Sequence, residues 1–110
     1  MTIRHLALAA VLVLAPPIAA AAGPQCADNA VAQARKLLAF HVGDDDRISV
    51  DKPAKELPSM RNPANPAQRF IVLEVWGAIY KGQYRMRFLY YPLQDECVLM
   101  GQEILEYARL

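Results

Sequence analysis

The chain has 110 residues, with 12 Lys and Arg against 11 Asp and Glu, a formal net charge of +1, and 55% hydrophobic residues. That balance gives no basic footprint of the kind a nucleic-acid binder shows. Two cysteines, two histidines and one tryptophan leave few residues for a metal cluster or for histidine-dependent catalysis.

Residues 6–14 form an unbroken apolar run behind Arg4 and His5. The run is too short to cross a bilayer as a helix. Pro16 and Pro17 break it, and Ala20-Ala21-Ala22 supplies the small residues of a cleavage site. This order is that of a secretory signal peptide over residues 1–22. Gln25 precedes Cys26, where a lipidated cysteine would follow a small residue. Residues 23–110 are then expected as one small domain, periplasmic or secreted, without a membrane span. Cleavage removes Arg4 and leaves 11 basic and 11 acidic residues, a neutral chain. Both cysteines survive it. An oxidising compartment favours a Cys26–Cys97 disulfide, which closes a loop of about 70 residues and contributes on the order of 4 kcal/mol.

Residues 27–42, ADNAVAQARKLLAFHV, predict one helix. Ala30, Val31, Ala34, Leu37, Leu38 and His41 recur at three- and four-residue spacing and make an apolar stripe. Asp28 or Asn29 is the expected N-cap, and Gly43 the residue past the C-terminus with positive φ. Asp44, Asp45 and Asp46 follow. They lack the central glycine and distant glutamate of a calcium loop, and neighbouring side chains of an extended segment diverge. We read them as a solvated acidic turn before a short strand at 47–51. Residues 52–68 hold Pro53, Pro58, Pro63 and Pro66 and predict a Pro-rich surface loop, which could lie over the sheet as a cover.

The segment RFIVLEVWGAIYKGQYRMRFLYY predicts a hairpin with Lys81-Gly82 as its turn. In that register Ile79 faces Tyr84, Gly77 faces Met86, Val75 faces Phe88 and Leu73 faces Tyr90, all on one apolar side. The other side pairs Ala78 with Arg85 and Trp76 with Arg87. A one-residue slip would mix the arginines with the core residues, so the alternation specifies the side each residue takes. A four-residue turn at 92–95 brings Cys97 opposite Tyr90, on the core side. The last strand is expected to continue through a bulge at Gly101 over residues 102–108. A short C-terminal helix is the rival.

The predicted fold class is α+β, one N-terminal helix packed on a four-stranded antiparallel meander. In architecture alone this is similar to cystatin-like folds. The Q-x-V-x-G hairpin of cystatin protease inhibitors is absent, since the corresponding turn reads Lys81-Gly82-Gln83-Tyr84-Arg85, so the resemblance implies no function.

No catalytic constellation is legible. His41 is the only histidine after cleavage and sits on the helix stripe. Ser49 and Ser59 lie in no nucleophile motif, and no cofactor or metal is implied. The helix covers one sheet face. The other face is expected to show Val72, Glu74, Trp76, Arg85, Arg87, Leu89, Tyr91, Val98 and Met100. Aromatic residues, Met and Arg are the composition of protein interfaces, and Trp76 opposite Arg87 suits a cation–π pair. The expected function is a small, exported, non-catalytic module that binds another protein, or a second copy of itself, through this face. An inhibitor or immunity-type partner of an envelope or secreted hydrolase is one form. The alternative is a small-ligand carrier with a pocket between helix and sheet, against which stands a predicted core filled by Leu73, Tyr84, Phe88, Tyr90 and Leu99.

Overall fold

A computed structural model of the chain describes residues 24–80 and 82–108. The expected signal peptide lies outside the described residues. The elements run α1 (Ala27–Val42), β1 (Ser49–Val50), β2 (Lys55–Asn62), β3 (Asn65–Ile79), β4 (Gly82–Leu93) and β5 (Glu96–Tyr107). All strand pairs are antiparallel, in the order β1-β3-β4-β5, with β2 also on β3. This is the expected helix followed by a meander, with one strand more than predicted.

The added strand is β2. Residues 52–68 were expected as a loop, yet 55–62 pair with β3, matching Lys55 to Glu74 and Leu57 to Val72. Proline is tolerated because β2 lies at the sheet edge, where an absent N–H need not break a ladder. The register shifts between Leu57 and Met60, around Pro58. Pro63 and Ala64 form the turn, with Ala64 N donating to Asn62 Oδ1 at 2.9 Å. The segment therefore extends the sheet sideways and does not lie over its face.

Helix α1 begins one residue before the expected cap. Cys26 occupies the N-cap position at φ 70° with no side-chain cap bond. Its sulfur is committed to Cys97, at a Cα–Cα distance of 5.8 Å, so the covalent bond holds the first turn in place of an Asx cap. Gly43 ends the helix at φ 91°, as expected for the residue past a C-terminus. Ala27, Ala30, Ala34 and Leu38 are the buried stripe, with Val31 and Leu37 at its margin. His41 is exposed, edge-on to the Tyr84 ring at 5.6 Å.

The core lies between this stripe and the alternate residues of β3 and β4. Leu38, Leu73, Val75, Met86 and Phe88 are the largest side chains fully removed from solvent. Each such burial stabilises the fold by about 1.5–3 kcal/mol relative to exposure. Gly77 lies beneath Leu38. A Cβ there would stand 2.9 Å from Leu38 Cδ2 and 2.9 Å from Met86 Cε, so the missing side chain lets helix and sheet approach.

Both hairpin registers differ from the expected ones, by two residues each. Tyr84 faces Gly77, Met86 faces Val75, and Phe88 faces Leu73, because Ile79 pairs with Gly82 and the chain turns from Tyr80. Tyr80, expected as the last residue before the turn, takes a positive φ of 53°. Gly82 is instead a strand residue whose added Cβ would press on the Tyr84 ring at 2.9 Å. The second turn is Gln94-Asp95, with Gln94 at φ 56°, so Cys97 faces Pro92 and not Tyr90. A two-residue shift preserves the face of every side chain, which is why Cys97 still reaches the helix side. The bulge falls at Met100, where pairing passes from Tyr90–Leu99 to Leu89–Gly101, and β5 then continues to Tyr107. Leu99, expected in the core, is 37% exposed on this outer strand.

Candidate functional site

The face of the sheet away from α1 carries a connected polar cluster set in apolar surroundings. Its centre is Glu74 of β3, a buried acid at 8% exposure. Trp76 Nε1 donates to Glu74 Oε1 at 3.0 Å, and Arg87 Nε donates to Oε2 at 2.9 Å. The strands place these groups directly. Glu74 and Arg87 are register partners, as are Trp76 and Arg85. The expected Trp76–Arg87 pairing is therefore replaced by Glu74–Arg87, a consequence of the shifted turn. Burial pushes the Glu74 carboxyl up, but the bonds from Arg87 and Trp76, aided by the charges of Arg87 and Arg85, outweigh it. The group is held below the ordinary glutamate range.

Tyr107, near the end of β5, joins the same cluster. Its ring lies 5.0 Å from the Trp76 ring, and the Arg85 guanidinium carbon stands 5.7 Å from its centroid. Arg85 Nη1 donates to the Tyr107 hydroxyl at 2.8 Å, while Arg85 Nε is buried without a hydrogen-bond partner. Tyr107 was not anticipated as a site residue. Its place depends on β5 running on past the bulge, and residues 102–108 were ambiguous between strand and helix.

Beside the cluster a groove of about 340 Å³ runs between Met60, Val72, Arg87, Leu89 and Glu103. Phe70 and Val72 are buried on this side, yet neither belongs to the core cluster under α1. Leu89 is half-buried and Tyr91 likewise, with Val98 as its partner on β5. Met100 is exposed at the bulge, where it has no register partner. Glu74, Trp76, Arg85, Arg87 and Leu89 are thus neighbours, Tyr91 lies further along β4, and Met100 sits at the rim.

The acidic turn resolves into a local ion pair. Asp45 accepts from Arg47 N at 2.9 Å and Nε at 3.0 Å, and its other oxygen meets Arg47 Nη2 at 2.8 Å. Hydrogen bonding to Arg47 lowers the Asp45 carboxyl to about 2. Among the described residues, no group of three or more His, Cys, Asp or Glu side chains is placed to hold a metal ion. No helix among them is long and apolar enough to cross a membrane.

A second concavity, about 700 Å³, follows the outer flank of α1 against residues 52–54. Its floor is Ala27, Val31 and Ala54, with Arg35, Lys36 and Lys52 and one acid, Asp28, around it. It lies beside the helix and not between helix and sheet, where Leu38, Leu73, Met86 and Phe88 are fully buried. Comparison with known protein families, with curated proteins and with solved structures gave no match to this chain.

Proposed function

We propose that this chain is an exported, non-catalytic binding module whose partner protein docks on the helix-free sheet face. One observation carries the reading. Trp76, Arg85 and Tyr107 form a group joined by ring contacts and a hydrogen bond, on a face beside which residues 55–62 pair into the sheet. Tryptophan, tyrosine and arginine dominate interface energetics because they combine large apolar area with directional donors. Glu74 pre-orients Trp76 and Arg87, so little side-chain freedom is lost on docking. An inhibitor or immunity-type protein for an envelope or secreted hydrolase is the form this takes in an exported domain of this size.

The test has two arms. N-terminal sequencing of the protein recovered from the cell envelope should begin near Ala22 or Gly23. Immobilised protein should retain from envelope extract a partner that is lost with Trp76→Ala and Arg85→Ala, both folded by circular dichroism. Retention unchanged by both substitutions would place the interface elsewhere.

A second reading, a small-ligand carrier, is supported by the groove along α1, whose apolar floor and three cations suit an anionic amphiphile. Saturable binding of an anilinonaphthalene sulfonate dye, weakened by Arg35→Ala with Lys52→Ala, would favour it over docking.

A further inference from the structure

The two edges of the sheet are built differently. One edge is shared by β1 and β2. β1 has two residues, and β2 carries Lys55, Pro58 and Arg61 and is broken twice in register. Short strands, proline, cations and irregular pairing are the usual devices that stop an edge from recruiting another strand. The opposite edge, β5, has 12 residues, no proline and no cation, and a single irregularity at Met100. Among the described residues it pairs only with β4, so its outer backbone groups have no sheet partner. Leu105 and Tyr107 are 48% and 37% exposed along it.

We propose that residues 101–107 of β5 form a strand-addition site for an extended segment of a partner protein bearing two cations three residues apart. Main-chain ladder bonds would supply affinity and side chains the selection. Charge picks the occupant. Glu96, Glu103 and Glu106 are the only charged residues of β5. Among the described residues, the arginines paired beside β5 lie one strand further in, and both are engaged: Arg87 with Glu74, Arg85 with Tyr107. A second copy of β5 would line up two sets of glutamates along one seam, which is unfavourable. A cationic segment neutralises them.

The spacing follows from strand geometry. Glu103 is opposite Arg87 and so lies on the helix-free face, whereas Glu106 is opposite Tyr84 and lies on the helix side. An added strand alternates faces with the same period of two, so cations facing both glutamates stand at positions i and i+3. Apolar residues of the segment would then sit beside Leu105, Tyr107 and Ile104. This rests on the reading of the chain as a protein-binding module and adds the mode of contact and the partner's chemistry.

The test selects a displayed library of random dodecapeptides on the purified protein, followed by hydrogen exchange of the bound state. Enriched peptides should carry Lys or Arg at i and i+3 and should slow exchange of amides within 101–107. N-methylation at alternate positions should abolish binding while leaving charge unchanged. Glu103→Lys with Glu106→Lys should weaken binding roughly tenfold or more and shift selection towards Asp or Glu at the same spacing. Glu106 lies against the Tyr84 hydroxyl, so Glu103→Lys alone serves if the double variant is unfolded. No enrichment, indifference to N-methylation, or protection away from β5 would overturn strand addition. A dimer with β5 protected before any peptide is added would overturn the choice of occupant. Peptides that protect only the region of Trp76 and Arg85 would sink this inference and leave the docking face standing.

Discussion

Glu74 and Arg87 stand directly opposite each other on β3 and β4, joined by a 2.9 Å bond from Arg87 Nε to the carboxylate. The acid is nearly buried while Arg87 is about one-third exposed. The pair is thus asymmetric. Removing Arg87 leaves a buried carboxylate with Trp76 as its remaining side-chain donor, whereas removing Glu74 leaves a guanidinium that water can reach. Arg87→Ala should therefore destabilise the fold by about 1–3 kcal/mol, and a double-mutant cycle with Glu74→Gln should show coupling. Urea unfolding of the four proteins gives the value. Additive effects would mean that the bond adds nothing beyond its parts.

The same site predicts an acid dependence. The Glu74 carboxyl is lowered in the folded state, so its contribution is fully present above the unfolded value, 4.5. It is lost as pH falls through the folded value. Trp76 is the only tryptophan and donates to this carboxylate, so its fluorescence reports the protonation. The emission titration should have a midpoint below 4.5, and Glu74→Gln should remove it. A midpoint above that would show that burial outweighs the two donors.

Asp45 offers an exposed comparison. Its carboxyl, lowered to about 2 by Arg47, should titrate in NMR well below the ordinary aspartate value of 3.8. Arg47→Ala should return it towards 3.8. Because the pair sits in solvent, the substitution should leave the unfolding midpoint nearly unchanged. Millimolar calcium should not shift the resonances of residues 44–46. A saturable shift would restore the metal reading.

Much of the fold was legible because a strand's period of two is robust to small errors. Both turns were placed one residue off, which slides each register by two, yet Val75, Met86 and Phe88 were assigned to the core, and Arg85, Arg87 and Trp76 to the opposite face. The disulfide followed from the expected oxidising compartment and the cysteine count. What was not legible depended on particular backbone choices. Tyr80 and Gln94 adopt positive φ, where the first was expected in a strand and the second in a longer turn. Four prolines concealed β2, since an edge strand tolerates what a central strand does not. The Glu74–Arg87 bond and the role of Tyr107 both depend on exact register, which alternation alone leaves open by steps of two.

Gly77 tests how closely the helix meets the sheet. A Cβ there would crowd Leu38 and Met86 at 2.9 Å and the Ser49 carbonyl oxygen at 3.3 Å. Gly77→Ala should destabilise by about 1–3 kcal/mol through overpacking, against the gain that alanine brings in an open strand. Leu38→Ala alone should cost about 2–5 kcal/mol, but less when combined with Gly77→Ala, since the new methyl occupies part of the space vacated. Equal costs in both backgrounds would show that Leu38 does not sense Gly77.

The disulfide fixes the start of α1 to the start of β5 across 71 residues of sequence. On a chain-entropy account, its loss releases a loop of that size and costs about 4 kcal/mol. Cys26 is also the helix N-cap, but at φ 70° with no side-chain cap bond, a conformation that does not aim a serine hydroxyl at the first-turn amides, so Cys26→Ser and Cys26→Ala should cost alike. With Cys97→Ser in both, the two variants should unfold at the same urea concentration. A substantial share of the stability should also vanish when the wild-type protein is reduced. If reduced and oxidised proteins unfold together, the helix is held to the sheet by the Leu38 core alone, and the covalent bond adds no stability to its first turn.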